Sequence, residues 1–357
     1  MAVNRLLRTL VMACLCGVTA ASAQTPSATP TPSAAPASPH AIRLDVVVDT
    51  KSGQPVTNLR EQDFTLIDNK TPLPIRSFRV VTPAQEPVRV ILLLDTVNTP
   101  YNMVTYMRQG VASYLKANEG KLAQPTAIAV LTDSGTSIAN RFSTDGLALN
   151  ANLDRTTIGL RQITRDSQWG QEDLLQMSMK SFDSLITYAS TFPGRKMILW
   201  ISPGWPLISP PGMYFTNSQE QQIFSTIIAY STRLRDAGVT LYNINPVGTG
   251  ESLIRADYYE NFLQGVTRPS DAVPGDVGVQ VLAVQSGGLA FESNSDVAGM
   301  IRKCLNDANS WYEITFDPPP ADKPNEYHHI EIKVDQRGLI ARTRDGYYSN
   351  PAAISGH

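Results

Sequence analysis

The segment VRVILLLDTVNTP, residues 88–100, decides the fold. It is an almost unbroken run of Val, Ile and Leu that stops at Asp95. Strands buried on both faces of a parallel sheet have this composition, whereas half-exposed strands alternate apolar with polar residues. In open α/β sheets, ligands bind just beyond the carboxyl ends of such strands. We therefore predict a buried parallel strand with a candidate site at Asp95 and the residues that follow it.

Helical and strand patterns alternate after this segment. Residues 101–117 carry apolar side chains at helical spacing, and short apolar runs typical of buried strands follow at residues 126–133, 196–202 and 239–246. Alternation of this kind favours helices on both faces of one sheet. The sequence thus predicts an α/β fold with a doubly wound, mostly parallel, Rossmann-like sheet over residues 84–310.

Two β-rich segments flank this region. Residues 41–83 and 311–350 contain short alternating strands separated by turn residues, and residues 351–357 form a tail. About forty residues are too few to close a hydrophobic core alone. We predict that the two segments form one small β-sandwich beside the domain at residues 84–310.

The N-terminal region has the pattern of an export signal. Residues 1–23 combine a basic start, a short apolar run and an A-x-A cleavage site before Gln24. An alternative is a lipoprotein signal using Cys14 or Cys16, but the sequence around these cysteines is atypical of one. The Pro, Ser, Thr and Ala of residues 24–40 predict a disordered linker. We expect a periplasmic or extracellular protein.

Composition narrows the functional classes. The formal net charge is −2, so no strongly basic patch for nucleic acid is expected, and no second apolar segment is long enough to span a membrane. After cleavage of the signal, Cys304 is the single cysteine left, so no intramolecular disulfide can form. Its position in a helical pattern favours a buried structural role over a reactive thiol.

Four segments carry a family resemblance: VVVDTKSGQPVTNLREQDFTLIDNKTPLPIRSF, VILLLDTVNT, QSGGLAFESNSDVAGMI and YEITFDPPPADKPNEYHHIEIKVDQRGLIARTRDGYY. Together they resemble the bacterial secreted VWFA-related proteins, whose central domain has the von Willebrand factor type A (vWA) fold. The resemblance covers residues 41–350. It implies a vWA domain between two β segments that share a small sandwich, and a protein that acts by binding a protein partner.

The resemblance also implies where a metal-ion-dependent adhesion site would lie. Its first loop has the pattern DxSxS, and here Asp95, Val97 and Thr99 occupy the three positions, with Asn98 between the last two. Mg²⁺ requires oxygen ligands in near-octahedral geometry. Val97 offers only methyl groups, so one hydroxyl ligand is missing.

The other two loops of such a site also depart from the pattern. In the third loop Pro203, next to Ser202, stands where an aspartate is expected, and in the second loop Thr164 is a possible match without a firm alignment. We therefore predict a degenerate site without a cofactor, in which Asp95 shapes its loop by accepting backbone hydrogen bonds. An alternative is a weakened Mg²⁺ or Ca²⁺ site that still supports adhesion.

Enzymatic activity is the minority hypothesis. The sequence contains no HExxH, CxxC, GxSxG or P-loop motif, and the adjacent His328 and His329 point to opposite faces of a predicted strand. An envelope hydrolase with unidentified catalytic residues is the alternative of another class. Trp205, Tyr214 and Phe215 are candidates for an aromatic contact surface near Asp95, or else simply cap the sheet.

Overall fold

The structure is a computed structural model that describes residues 41–139, 141–156, 168–206, 214–247, 258–292 and 294–351. Its α-helices are α1 (Tyr101–Lys116), α2 (Gly146–Arg155), α3 (Gln168–Ser190), α4 (Asn217–Asp236), α5 (Val279–Gln285) and α6 (Val297–Asn306). The strands are β1 (Ile42–Thr50), β2 (Phe64–Asp68), β3 (Thr71–Leu73), β4 (Ser77–Val81), β5 (Arg89–Asp95), β6 (Lys121–Thr132), β7 (Gly135–Ile138), β8 (Ser143–Asp145), β9 (Lys196–Ile201), β10 (Val239–Ile244), β11 (Ala290–Phe291), β12 (Trp311–Phe316), β13 (Glu326–Val334), β14 (Leu339–Arg342) and β15 (Gly346–Ser349).

The central sheet has the order β11-β10-β9-β5-β6-β7, with β8 also paired to β6. Strands β5, β6, β9, β10 and β11 run parallel, and the edge strands β7 and β8 run antiparallel to β6. Numbered along the chain, this is the doubly wound order 3-2-1-4-5-6. The predicted fold class is therefore confirmed, and it agrees with the vWA fold that the resemblance implies.

Strand β5 lies at the centre of the sheet because both of its faces are apolar. Leu92 packs on one face in a cluster that includes Met107 of α1, and Leu93 packs on the other face in a cluster that includes Phe182 of α3. These side chains are fully buried. The unbroken apolar run thus places β5 between two helical layers and fixes Asp95 at the carboxyl edge of the sheet.

The two flanking segments form two antiparallel sheets, with the orders β14-β1-β12-β4 and β15-β13-β2-β3. Each sheet combines strands from both ends of the described chain. One apolar cluster lies between them and includes Leu44 and Ile314 from the first sheet and Leu66 and Ile332 from the second. Neither segment could form this core alone, which is why they form the predicted joint sandwich.

A buried polar network joins the sandwich to the α/β region. The Asp307 carboxylate, just after α6, accepts hydrogen bonds from Tyr242 Oη at 2.6 Å and Arg342 Nη2 at 2.7 Å. The Asp307 carbonyl accepts one from Arg195 Nη1 at 2.6 Å. Buried charges are tolerated when they are paired in this way. The network therefore ties β10 and β14 to the end of α6.

Other sequence predictions have mixed outcomes. Cys304 is buried in α6, and burial raises the pKa of its thiol, as expected of a structural cysteine. His328 is buried and His329 is exposed, which confirms that they point to opposite faces of β13. The predicted signal, the linker and residues 352–357 of the tail lie outside the described residues. No helix among the described residues is long and apolar enough to cross a membrane.

Candidate functional site

The Asp95 carboxylate ends β5 and is completely buried. Its Oδ1 accepts hydrogen bonds from the backbone N–H of Val97 at 3.1 Å and of Asn98 at 2.9 Å. Its Oδ2 accepts hydrogen bonds from Asn98 Nδ2 at 2.7 Å and Trp200 Nε1 at 2.9 Å. Four N–H donors therefore surround the carboxylate, and both oxygens are engaged inside the protein.

Electrostatics at Asp95 reflect two opposed effects. Burial raises the pKa of Asp95, and hydrogen bonds from Asn98, Trp200 and Ser202 work in the opposite direction. Hydrogen bonds to a carboxylate favour its ionised form and compensate for lost solvation. The stabilising partners of this group are thus neutral N–H and O–H donors.

The two neighbouring positions of the first loop point into the structure. Val97 is 5% exposed and packs in the apolar cluster between the sheet and α3. Thr99 is fully buried, and its Oγ1 donates to the Asp95 carbonyl at 2.6 Å. Asn98 Nδ2 also reaches Ser178 Oγ of α3 at 2.7 Å. The loop is therefore fastened to α3 and to its own strand.

The third loop follows β9 and lies next to Asp95. The Ser202 hydroxyl oxygen accepts a hydrogen bond from the Gly204 backbone N–H at 3.2 Å, and the Pro203 carbonyl accepts one from Gln280 Nε2 at 3.0 Å. Gly204 adopts a φ of 113°, which a residue with a Cβ rarely reaches. These contacts stabilise a turn that provides no carboxylate. Thr164, the second-loop candidate, lies outside the described residues.

The loops around Asp95 offer few free oxygens to a divalent cation of the adhesion-site type. Mg²⁺ needs several free oxygens, whereas Asp95 is surrounded by N–H groups, Val97 presents methyls and Pro203 replaces a carboxylate. In the described ranges, no group of three or more His, Cys, Asp or Glu side chains is placed to hold a metal ion.

The aromatic prediction needs a correction. Trp205 is only 4% exposed and lies edge-on to Phe182, with ring centroids 5.6 Å apart, and to Trp200 at 5.3 Å. It is therefore part of the core beneath the loop, because its large apolar ring is more stable against α3 than in water. Tyr214 is 96% exposed and Phe215 is partly buried, so these two residues remain candidates for a contact surface.

Sequence reasoning named Asn98 in the first loop but missed the roles of Trp200 and Tyr101 at this edge. The Asn98 side-chain amide and the Trp200 indole complete the environment of Asp95. A tryptophan in a buried strand needs a partner for its N–H, which was the available signal. Tyr101 begins α1 and is 73% exposed. Because Tyr101 follows Asp95 by only six residues, the sequence could have predicted that both lie at the same edge of the sheet.

No family model and no curated protein matches the chain. Among solved structures, it is similar to the crystal structure of the manganese-loaded TRAP protein of Plasmodium vivax, with 9% sequence identity and a TM-score of 0.30. The similarity covers 75% of this chain and 96% of that chain. A likeness this weak carries no argument, so the fold assignment rests on the strand order and the helix placement described above.

Proposed function

We propose that this chain is an exported, non-catalytic protein-interaction module whose partner binds at the carboxyl edge of the central sheet without a divalent metal. The observation that carries the proposal is the hydrogen bonding of Asp95. Its two carboxylate oxygens accept four N–H donors, and a cation could bind them only by displacing these groups. An adhesion site of this fold would instead leave oxygens open to the metal and to an acidic group of the partner.

Exposed aromatic residues support the location of the binding surface. Helices α1 and α4 each run from the carboxyl edge of the sheet back to its opposite edge, so Tyr101 at the start of α1 and Tyr214 shortly before α4 belong to the carboxyl edge. Both side chains are mostly exposed, and tyrosine is enriched at the energetic centres of protein interfaces. The partner is expected to bury these two rings.

Metal titration tests the metal-independent part of the proposal. Calorimetry of the wild type with Mg²⁺, Mn²⁺ and Ca²⁺ should show no saturable binding at millimolar ion concentrations. The matched variant is Val97→Ser/Pro203→Asp, which restores two of the ligand types that the adhesion site requires. Tight binding by the wild type would instead support the weakened-site alternative.

Site-specific photo-crosslinking tests the surface itself. A photoreactive amino acid replaces Tyr214 or Tyr101 in the exported protein, and in a control it replaces Ile340, which is exposed on β14 of the sandwich. The first two positions should yield the same crosslinked species, and the control should not. Crosslinks from Ile340 alone would refute the proposed surface.

Activity profiling of the purified protein addresses the hydrolase alternative.

Export is tested separately. N-terminal sequencing of the protein recovered outside the cytoplasm should begin at Gln24, since cleavage follows the A-x-A pattern. Retention of Met1, or lipid attached to Cys14 or Cys16, would contradict this part of the proposal and leave the interaction surface to be judged by the crosslinking result.

A further inference from the structure

A cleft of about 1180 Å³ lies at the opposite edge of the central sheet, between the α/β region and the sandwich. Its lining includes the starts of β9 and β10, the end of α4, the start of β1 and the segment before β15. The volume lies slightly above the range of about 300–1,000 Å³ that is typical of small-molecule sites. No residue of the Asp95 loop contributes to it, so the cleft is separate from the proposed interaction surface.

The cleft carries an excess of positive charge in a chain whose net charge is −2. Its acidic lining residues are Asp45 and Asp236. Asp45 lies 3.7 Å from the guanidinium groups of both Arg43 and Arg195, and Asp236 pairs with Arg235. Arg43 also lies 3.5 Å from the Glu313 carboxylate, which is outside the lining. The cationic lining residues are Arg43, Arg195, Lys196, Arg235 and Arg344.

Two of these cations have no carboxylate within 4.0 Å. The Lys196 ammonium is buried and donates to the carbonyls of Phe192 at 2.8 Å and Gly194 at 2.7 Å, which leaves one of its three N–H groups without a partner. The Arg344 guanidinium has neither an ion pair nor a hydrogen bond to any described residue. Burial lowers the pKa of Lys196 to about 8 and that of Arg344 to about 10; neighbouring cations add to the effect, and Asp45 opposes it at both groups.

The cationic groups also converge around a glycine. Gly238 has a φ of 59°, and a Cβ added there would lie 3.1 Å from the Gly194 carbonyl oxygen, 3.2 Å from Arg43 Nη2 and 3.7 Å from Lys196 Nζ. Arg43 and Lys196 therefore both border this glycine, together with the Gly194 carbonyl, and the position is too tightly packed for a side chain. Asp45 partly offsets the repulsion between the two positive groups, and a bound anion would offset it further.

The C-termini of two helices explain why some of the basic side chains lie in the cleft. Helices α3 and α4 end at this edge, and basic side chains are stabilised near the carbonyls of a helix C-terminus. Lys196 fits this explanation because it binds two carbonyls just after α3. Arg344 does not, since it binds no carbonyl and is brought into the cleft by the segment between β14 and β15.

We infer that the cleft binds a small anionic ligand through a phosphate or sulfate group, held by Arg344, Arg235 and Lys196 beneath Arg43. Guanidinium groups bind such oxyanions with paired N–H donors, and a doubly charged group matches the surplus positive charge better than one carboxylate. The remainder of the ligand would lie along the apolar lining formed by Phe192 and residues 318–320.

Calorimetry of the full chain with sodium phosphate, pyrophosphate and sulfate, at constant ionic strength set with chloride, tests this inference. Saturable binding of at least one of these anions is expected, with a rise in the thermal unfolding temperature that chloride does not produce. The order of affinity among the three anions distinguishes a phosphate source from a sulfate source.

Variants place the binding in the cleft. Arg344→Gln and Arg235→Gln should each weaken anion binding by about tenfold or more, because each removes a charged donor. Arg302→Gln, on the exposed side of α6, is the matched control and should leave affinity unchanged. In the absence of anion, Arg344→Gln should unfold at a higher temperature than the wild type, since it removes an unpaired charge. Absence of saturable binding, or binding that survives both variants, would overturn the inference.

Discussion

Substitution of Asp95 by asparagine tests whether this carboxylate organises the loop after β5. An asparagine could keep the two backbone hydrogen bonds from Val97 and Asn98 through its one oxygen. Its NH₂ group would then face two other donors, Asn98 Nδ2 and Trp200 Nε1, where the wild type has an acceptor. The substitution therefore exchanges two hydrogen bonds for two contacts between donors.

The magnitude follows from these contacts. A hydrogen bond to a charged group contributes about 1.5–3 kcal/mol to stability. Asp95→Asn also removes the desolvation cost of a buried charge, and this offsets part of the loss. Asn98 Oδ1 is buried without a partner, so rotation of the Asn98 amide could satisfy the new NH₂ group. The indole N–H of Trp200 would still lose its acceptor. We expect Asp95→Asn to lower the free energy of unfolding by about 2–4 kcal/mol.

Urea unfolding measures this change, and the indole N–H resonance of Trp200 in a ¹H–¹⁵N spectrum reports the lost hydrogen bond directly. Asp173→Asn, on an exposed part of α3, is the matched control and should change the unfolding free energy by less than about 0.5 kcal/mol. A comparably small effect of Asp95→Asn, with an unmoved indole resonance, would refute the proposed role and leave Asp95 as a simple end to its strand.

Three further predictions concern the remaining buried polar groups. Asp68→Ala should lower the free energy of unfolding in urea by about 3–5 kcal/mol, because it leaves the Tyr347 hydroxyl and the buried His328 ring without their acceptor. Tyr347→Phe removes one of these two hydrogen bonds and should lower it by less. The folded-state pKa of Lys196 is lowered from 10.5 to about 8. Between pH 8 and pH 10.5 the unfolded chain therefore binds more protons than the folded chain, so the free energy of unfolding should rise from pH 8 to pH 9.5. The variant Lys196→Met should lack this rise. Arg342→Met should leave the Asp307 carboxylate buried without its cation and lower the unfolding temperature, whereas an unchanged temperature would argue against the network as an anchor.

Much of the fold could be predicted from the sequence because apolar periodicity reports burial directly. The run before Asp95 predicted a strand covered on both faces, and the shortness of residues 41–83 predicted a shared sandwich. Both inferences depend on how much apolar surface a segment of a given length can bury, and this can be read from its sequence. The predicted backbone hydrogen bonds to Asp95 are present for a similar reason, since a carboxylate at a buried strand end needs local donors.

Contacts between distant parts of the chain could not be predicted in the same way. For Trp205 the sequence left open a contact surface or a cap over the sheet, and only the structure shows that its ring packs against Phe182 after the turn at Gly204. The basic cleft was also missed. Arg43, Lys196 and Arg344 lie far apart in a sequence of nearly balanced charge, and only the docking of the sandwich on the sheet brings them together.

The shared sandwich imposes an order on folding. Strand β1 pairs with β12 and β14, which are synthesised only after the entire α/β region. Until then, residues 41–81 have unpaired strand edges that can associate with other chains. Contacts between such distant segments slow folding, since a long loop must close before they form. A chain interrupted before residue 311 is therefore expected to aggregate even if its central sheet folds, so residues 41–81 depend on residues 311–350 to complete their sheets.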